Sequence, residues 1–97
     1  MQTTLKIVLC GTLEDVRKRM ALDYERISKI YPQANLVRSD HTIEINSTWI
    51  NKYISVRQLK NVDGLKPRYI EADVSAFLVA TPKQMELIVD TMELINL

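Results

Sequence analysis

The sequence predicts a small α/β (α+β) domain: a mixed sheet of three to five strands packed with two long helices, in the order β-α-β-β-β-(β)-α. Three observations predict it. Short runs rich in branched residues, such as Leu5-Lys6-Ile7-Val8-Leu9-Cys10, read as strands. Two longer stretches carry apolar residues at three- and four-residue spacing, the mark of helices lying on a surface. The 97 residues, 46% apolar and 26% charged, fit one globular domain over 1–97, with a core that needs no metal or disulfide staple.

The first strand points Ile7 and Leu9 to one side and Val8 and Cys10 to the other, so an interior position is expected. Thr12 then caps a helix, with Asp15 three residues on completing a capping box. Val16, Met20, Tyr24, Ile27 and Tyr31 share its inward face, and Glu14–Lys18, Asp15–Arg19 and Glu25–Lys29 are spaced as i,i+4 ion pairs. Pro32 ends it. Residues 35–58 read as antiparallel: Leu36–Arg38 and Thr42–Ile45 flank a tight turn at Ser39-Asp40-His41, and a further strand covers Ile50–Val56. Arg57–Pro67, with Val62-Asp63-Gly64 at its centre, reads as a long exposed loop. Tyr69–Val74 resumes strand alternation, while Ser75–Ala80 fits a buried strand or a short buried helix. Thr81-Pro82 opens the last helix, whose inward stripe is Met85, Ile88, Val89, Met92 and Ile95.

The net charge of +1 conceals an uneven distribution: residues 1–31 carry +2, 32–68 carry +3 and 69–97 carry −4. One cysteine cannot form an internal disulfide, and no positively charged start precedes the short apolar run from Leu5 to Gly11. No stretch approaches the length of a membrane span. Cytoplasmic residence without membrane attachment is the expectation, with Cys10 a buried, reduced thiol.

Few residues form a constellation with chemistry. Gly11 ends a strand and begins a helix, but Leu13, Glu14, Asp15 and Val16 follow where a phosphate loop needs glycine and lysine. His41 has no partners at metal-ligand spacing and reads as a solvated turn residue. Glu71 and Asp73 share one face of a strand, the arrangement through which paired carboxylates hold magnesium. Arg57, Lys60, Lys66 and Arg68 bracket the expected loop, with Lys52 just upstream, and these five could contact a partner or nucleic-acid phosphates. Leu87, Thr91, Leu94 and Leu97 form a second stripe on the last helix, suited to self-association as a homodimer.

Residues 35–73 also resemble a passage in the large terminase subunits and related phage P-loop ATPases. The similarity runs through Thr42-Ile43-Glu44-Ile45-Asn46 and Ile54-Ser55-Val56, then Asp63-Gly64-Leu65-Lys66-Pro67-Arg68-Tyr69-Ile70-Glu71-Ala72-Asp73. In that family the position matching Asp73 is the magnesium-coordinating acid and a catalytic glutamate follows it. Val74 stands there instead, and the phosphate loop is missing from Gly11 onward. The resemblance implies a non-catalytic, phage-encoded descendant that acts in the host cytoplasm as an accessory protein.

The leading expectation is therefore a small non-enzymatic interaction protein, binding a protein partner or itself without a cofactor. The alternatives are a nucleic-acid-binding accessory protein using 57–68, a structural or assembly protein, and a small metal-dependent hydrolase centred on Glu71 and Asp73.

Overall fold

The computed structural model describes residues 3–96. Its organising element is β1 (Thr4–Cys10), hydrogen-bonded in parallel to β4 (Trp49–Ser55) on one side and to β5 (Tyr69–Ala72) on the other. A strand apolar on both faces is stable only where both faces are covered, and β1 is the innermost parallel strand. β3 (Thr42–Asn46) pairs antiparallel with β4, and β2 (Asn35–Val37) pairs antiparallel with β3 at the edge, giving the order β2-β3-β4-β1-β5. The predicted mixed sheet with two long helices is thus the observed architecture.

The two faces of the sheet carry separate cores. On one, Val8, Cys10, Ile43 and Tyr53 pack against Val16 and Met20 of α1 (Leu13–Ile30). On the other, Ile7, Leu9, Ile54 and Ile70 pack against Ile88 of α4 (Pro82–Asn96). Each fully buried aliphatic side chain contributes about 1.5–3 kcal/mol of transfer free energy. α1 begins at Thr12, whose hydroxyl accepts the Asp15 amide while the Asp15 carboxylate accepts the Thr12 amide. Tyr31 departs from the expected inward face: it is the C-cap, its backbone has left the helical region, and the ring is 43% exposed.

Three further expectations are corrected or resolved. Arg57–Pro67 is not a loop. A 3-10 helix over Val56–Asn61 runs into α2 (Val62–Leu65), because Val56, Leu59 and Val62 recur every third residue and all three are buried. The turn before β3 is a short 3-10 helix (Arg38–Asp40) closed by His41 in the left-handed region, φ 52°. Ser75–Ala80 is helical: α3 (Val74–Val79) is capped by the Asp73 carboxylate, which accepts the Ser75 amide. The α4 stripe is also narrower than expected. Ile88 is buried and Met92 and Ile95 pack on the core, whereas Met85 and Val89 are exposed. No helix among the described residues is long and apolar enough to cross a membrane.

Candidate functional site

Glu71 lies in β5, but the strand expected to reach Val74 ends at Ala72 and Asp73 caps α3 instead; both carboxylates are occupied by the protein itself. Arg19, one-fifth exposed on α1, donates from Nη1 to Asp73 at 2.9 Å, from Nη2 to Glu71, and from Nε to both Asp23 oxygens at 3.0 Å. Lys6 approaches the other Glu71 oxygen at 2.9 Å, and Tyr53 donates its hydroxyl to Asp23 at 2.7 Å. Burial alone would raise both the Glu71 and Asp73 carboxyls. The bonds from Lys6 and Arg19 hold Glu71 below the usual carboxylate range, and those from Ser75 and Arg19 do the same for Asp73. Burial, followed by the bond to the Asp23 side chain, pushes the Tyr53 hydroxyl up. The expected Asp15–Arg19 pair does not form, because Asp15 caps the helix and Arg19 turns to these acids.

The β1–α1 junction is likewise satisfied from within. The Gly11 amide donates to Ser75 Oγ at 3.0 Å, and the Thr12 amide donates to Asp15 at 2.9 Å. Amides that cradle an anion in a phosphate loop are here bonded to side chains. Gly11 is required by close approach: a Cβ there would stand 2.5 Å from the Ser75 carbonyl oxygen and 2.7 Å from a Val79 methyl. Cys10 is fully buried beneath this junction, and burial, reinforced by Asp73, pushes its thiol up to about 12. Such a thiol is a poor nucleophile at neutral pH.

Topology opens a cleft beside this junction. The chain leaves β1 toward α1 on one face and leaves β4 toward the 3-10 helix on the other, so the carboxyl ends of these neighbours diverge. Open α/β sheets place ligands at such a switch point. The cleft, about 700 Å³, is lined by Leu13, Val56 and Val79, with His41, Arg57 and Gln84 among its polar groups. His41 also lines a second hollow of about 360 Å³ with Arg17, Met20, Leu36 and Arg38. Among the described residues, Arg17, Arg38 and Arg57 have no carboxylate within ion-pair distance.

Val79, which lines the cleft, belongs to a helix with further exposed apolar side chains. α3 carries no charged residue, and it leaves Val74 73%, Leu78 80% and Val79 47% exposed, with Phe77 also open. On α4, Leu87 and Leu94 are exposed, and the Thr91 hydroxyl bonds back to the Leu87 carbonyl. Leu97, the fourth member of the expected stripe, lies outside the described residues. The sequence reading missed α3 as a surface, although its signal was present: an apolar run without a charge between Asp73 and Lys83.

The basic residues singled out from the sequence are dispersed. Arg57 stands at the carboxyl end of the parallel strands and Lys60 is exposed one turn on. Lys66 and Arg68 precede β5 at the opposite, amino end of the sheet. Lys52 donates to the Asp40 carbonyl at 3.1 Å. Among the described residues, no group of three or more His, Cys, Asp or Glu side chains is disposed to hold a metal ion. No family model, curated protein or solved structure matches this chain.

Proposed function

We propose that the protein is a small non-enzymatic interaction module that docks a protein partner, or a second copy of itself, on the carboxyl-end cleft and the adjoining α3 surface. The observation that carries this reading is the exposure of α3. A six-residue helix with no charge leaves Val74 and Leu78 almost wholly in solvent, next to a hollow already lined by Leu13, Val56 and Val79. Contiguous apolar surface of this kind on a small domain marks interaction sites.

The chemistry of the partner follows from the rim. Apolar side chains would fill the cleft and cover α3, while acidic groups would meet Arg17, Arg38 and Arg57 at the margin. α4 of a second copy has such a character, with Leu87 and Leu94 beside Glu86, Asp90 and Glu93. A homodimer is therefore one form of the proposal, and an assembly role is its extension. Burial of α3 side chains at about 1.5–3 kcal/mol each must exceed an association cost of at least about 4 kcal/mol. The engagement of Glu71 and Asp73 by Arg19 gives the hydrolase alternative no support. A non-catalytic accessory role is also what the resemblance to the terminase-like ATPases implies.

Sedimentation equilibrium at about 100 µM, well above typical micromolar affinities, tests self-docking. Affinity capture with wild type and a Val74→Glu, Leu78→Glu variant tests other partners. The proposal expects association or capture by wild type, lost in a variant whose circular dichroism is unchanged. A wild type that stays monomeric and captures nothing the variant does not would overturn it.

A further inference from the structure

The amino end of the sheet carries a different surface, and the inference drawn from it does not rest on the docking reading. In the parallel register Thr4 lies beside Trp49 and Lys6 beside Tyr69, so Lys6, Trp49 and Tyr69 all belong to the face that α1 covers farther along. α1 packs over β1, β3 and β4, and Tyr69 at the β5 margin remains 41% exposed. Across β1 the Trp49 and Tyr69 rings stack, with centroids 5.6 Å apart and planes 18° from parallel. The indole is fixed by a bond from Nε1 to Asn51 Oδ1 at 2.8 Å. The Arg68 guanidinium lies over the Tyr69 ring, 5.8 Å from its centroid.

Three features set this pair apart from ordinary packing. The single tryptophan of the chain and its tyrosine partner belong to neither apolar core. Tyr69 also borders a cleft of about 630 Å³ whose lining includes Lys66, Arg68 and Thr4. Lys66 and Arg68 have no carboxylate within ion-pair distance among the described residues, whereas Glu71 is neutralised by Lys6 and Arg19. Flat ring surface beside unpaired cations matches the two components of a nucleic acid strand, bases that stack and phosphates that need charge.

We propose that Trp49 and Tyr69 form a stacking platform for single-stranded nucleic acid, with Lys66 and Arg68 contacting its phosphates. A base stacks on the exposed aromatic surface, and Arg68 is positioned to exchange its ring contact for a phosphate oxygen. Single strands are preferred over duplex because only unpaired bases present their faces.

Trp49, the only tryptophan, reports binding directly. Full-length protein is titrated at about 50 mM salt, where phosphate contacts are strong, with single-stranded DNA and RNA oligonucleotides, the matching duplex and polyglutamate. The expected result is saturable quenching by single strands, weakened steeply by salt. Tyr69→Ala and Arg68→Gln should each weaken binding by about tenfold, the scale of one lost stacked base. Tyr69→Phe should retain affinity, which separates loss of a ring from loss of fold, and Lys83→Gln, at an exposed position in the first turn of α4, should change it less than about twofold, as a residue outside the contact does. Absence of single-strand binding by both fluorescence and anisotropy overturns the proposal. So does equal affinity for duplex, an unchanged affinity in Tyr69→Ala, or equal quenching by polyglutamate, which would indicate an acidic protein partner.

Discussion

α1 and the α3–α4 pair cover opposite faces of one sheet, yet they meet solvent in different ways. The outer side of α1 is dressed with charge, including Glu14–Lys18 at 3.5 Å and Glu25–Lys29 at 3.9 Å, and its exposed Leu13, Leu22 and Ile30 are spread along the length of the helix. Its inner side joins an apolar core to the Arg19 network. α3 has no charge at all, and α4 exposes Met85, Leu87, Val89 and Leu94 around a buried line of Ile88, Met92 and Ile95. α1 is finished as a surface helix, whereas the opposite cover retains apolar area that its own fold does not bury. Both sides fold by the same hydrophobic burial; they differ in what remains outside.

The largest expected effects test whether the two cores are equally necessary. Met20→Ala on the α1 side and Ile88→Ala on the α4 side should each cost about 2–5 kcal/mol in denaturant unfolding, as buried aliphatic truncations do. Ile88 is fully buried and Met20 is 5% exposed, so Ile88→Ala should be the more severe. A cost below about 0.5 kcal/mol, the range of surface substitutions, would show that α4 is not an integral cover.

Next comes the polar device found only on the α1 side. Arg19→Gln leaves Asp23, Glu71 and Asp73 without their shared cation. It should cost about 3 kcal/mol, the low end for a broken buried pair because Glu71 is 41% exposed at its side chain. The pH dependence has a definite sign. Carboxyls held below their usual values stabilise the fold above about pH 4 and lose that contribution as pH falls through their depressed values. Wild type should therefore lose stability more steeply than Arg19→Gln between about pH 4 and 2, as measured by urea melts across that range. Parallel pH profiles would remove Arg19 as the cause.

Gly11→Ala probes the seam where the two sides meet. The added methyl would press on the Ser75 carbonyl and Val79 of α3 and on Asp15 of α1. Overpacking of this order costs about 1–3 kcal/mol. If α3 yields instead, near-ultraviolet circular dichroism from Phe77 should change while stability falls by less than about 1 kcal/mol, the lower bound of that range.

Much of this frame was legible in the residues. The Thr12–Asp15 capping box, the two-faced β1 and the Thr81-Pro82 start are local signals: both helices begin where they place them, and β1 begins at Thr4, one residue before the expected Leu5. What escaped is of two kinds. Val56, Leu59 and Val62 repeat every third residue, a 3-10 period that a search for helical or strand spacing passes over. The rest is long-range: Arg19 has a well-spaced local acid in Asp15 but bonds Glu71 and Asp73, more than fifty positions away, because β5 lies beside β1. The cleft at the carboxyl ends exists only because β4 and β1 become neighbours, which no local spacing encodes.

The smallest expected effect on stability sharpens the comparison most. Leu78 and Leu94 are 80% and 79% exposed, so each makes few contacts within its own chain. Leu78→Ser and Leu94→Ser should change monomer stability by less than about 0.5 kcal/mol, as substitutions at open surface do. The same Leu78→Ser change should weaken association on the α3 surface by about tenfold or more, since one leucine fully buried at an interface is worth about 1.5–3 kcal/mol. Stability is read from urea melts at low micromolar protein, and association from sedimentation at graded concentrations. Were Leu78→Ser to destabilise the dilute protein by about 2 kcal/mol, the value of a buried residue, α3 would be closing against its own chain in solution. The open side of the molecule would then be as finished as α1. A variant unchanged in stability but defective in association would place the role of Leu78 outside its own fold.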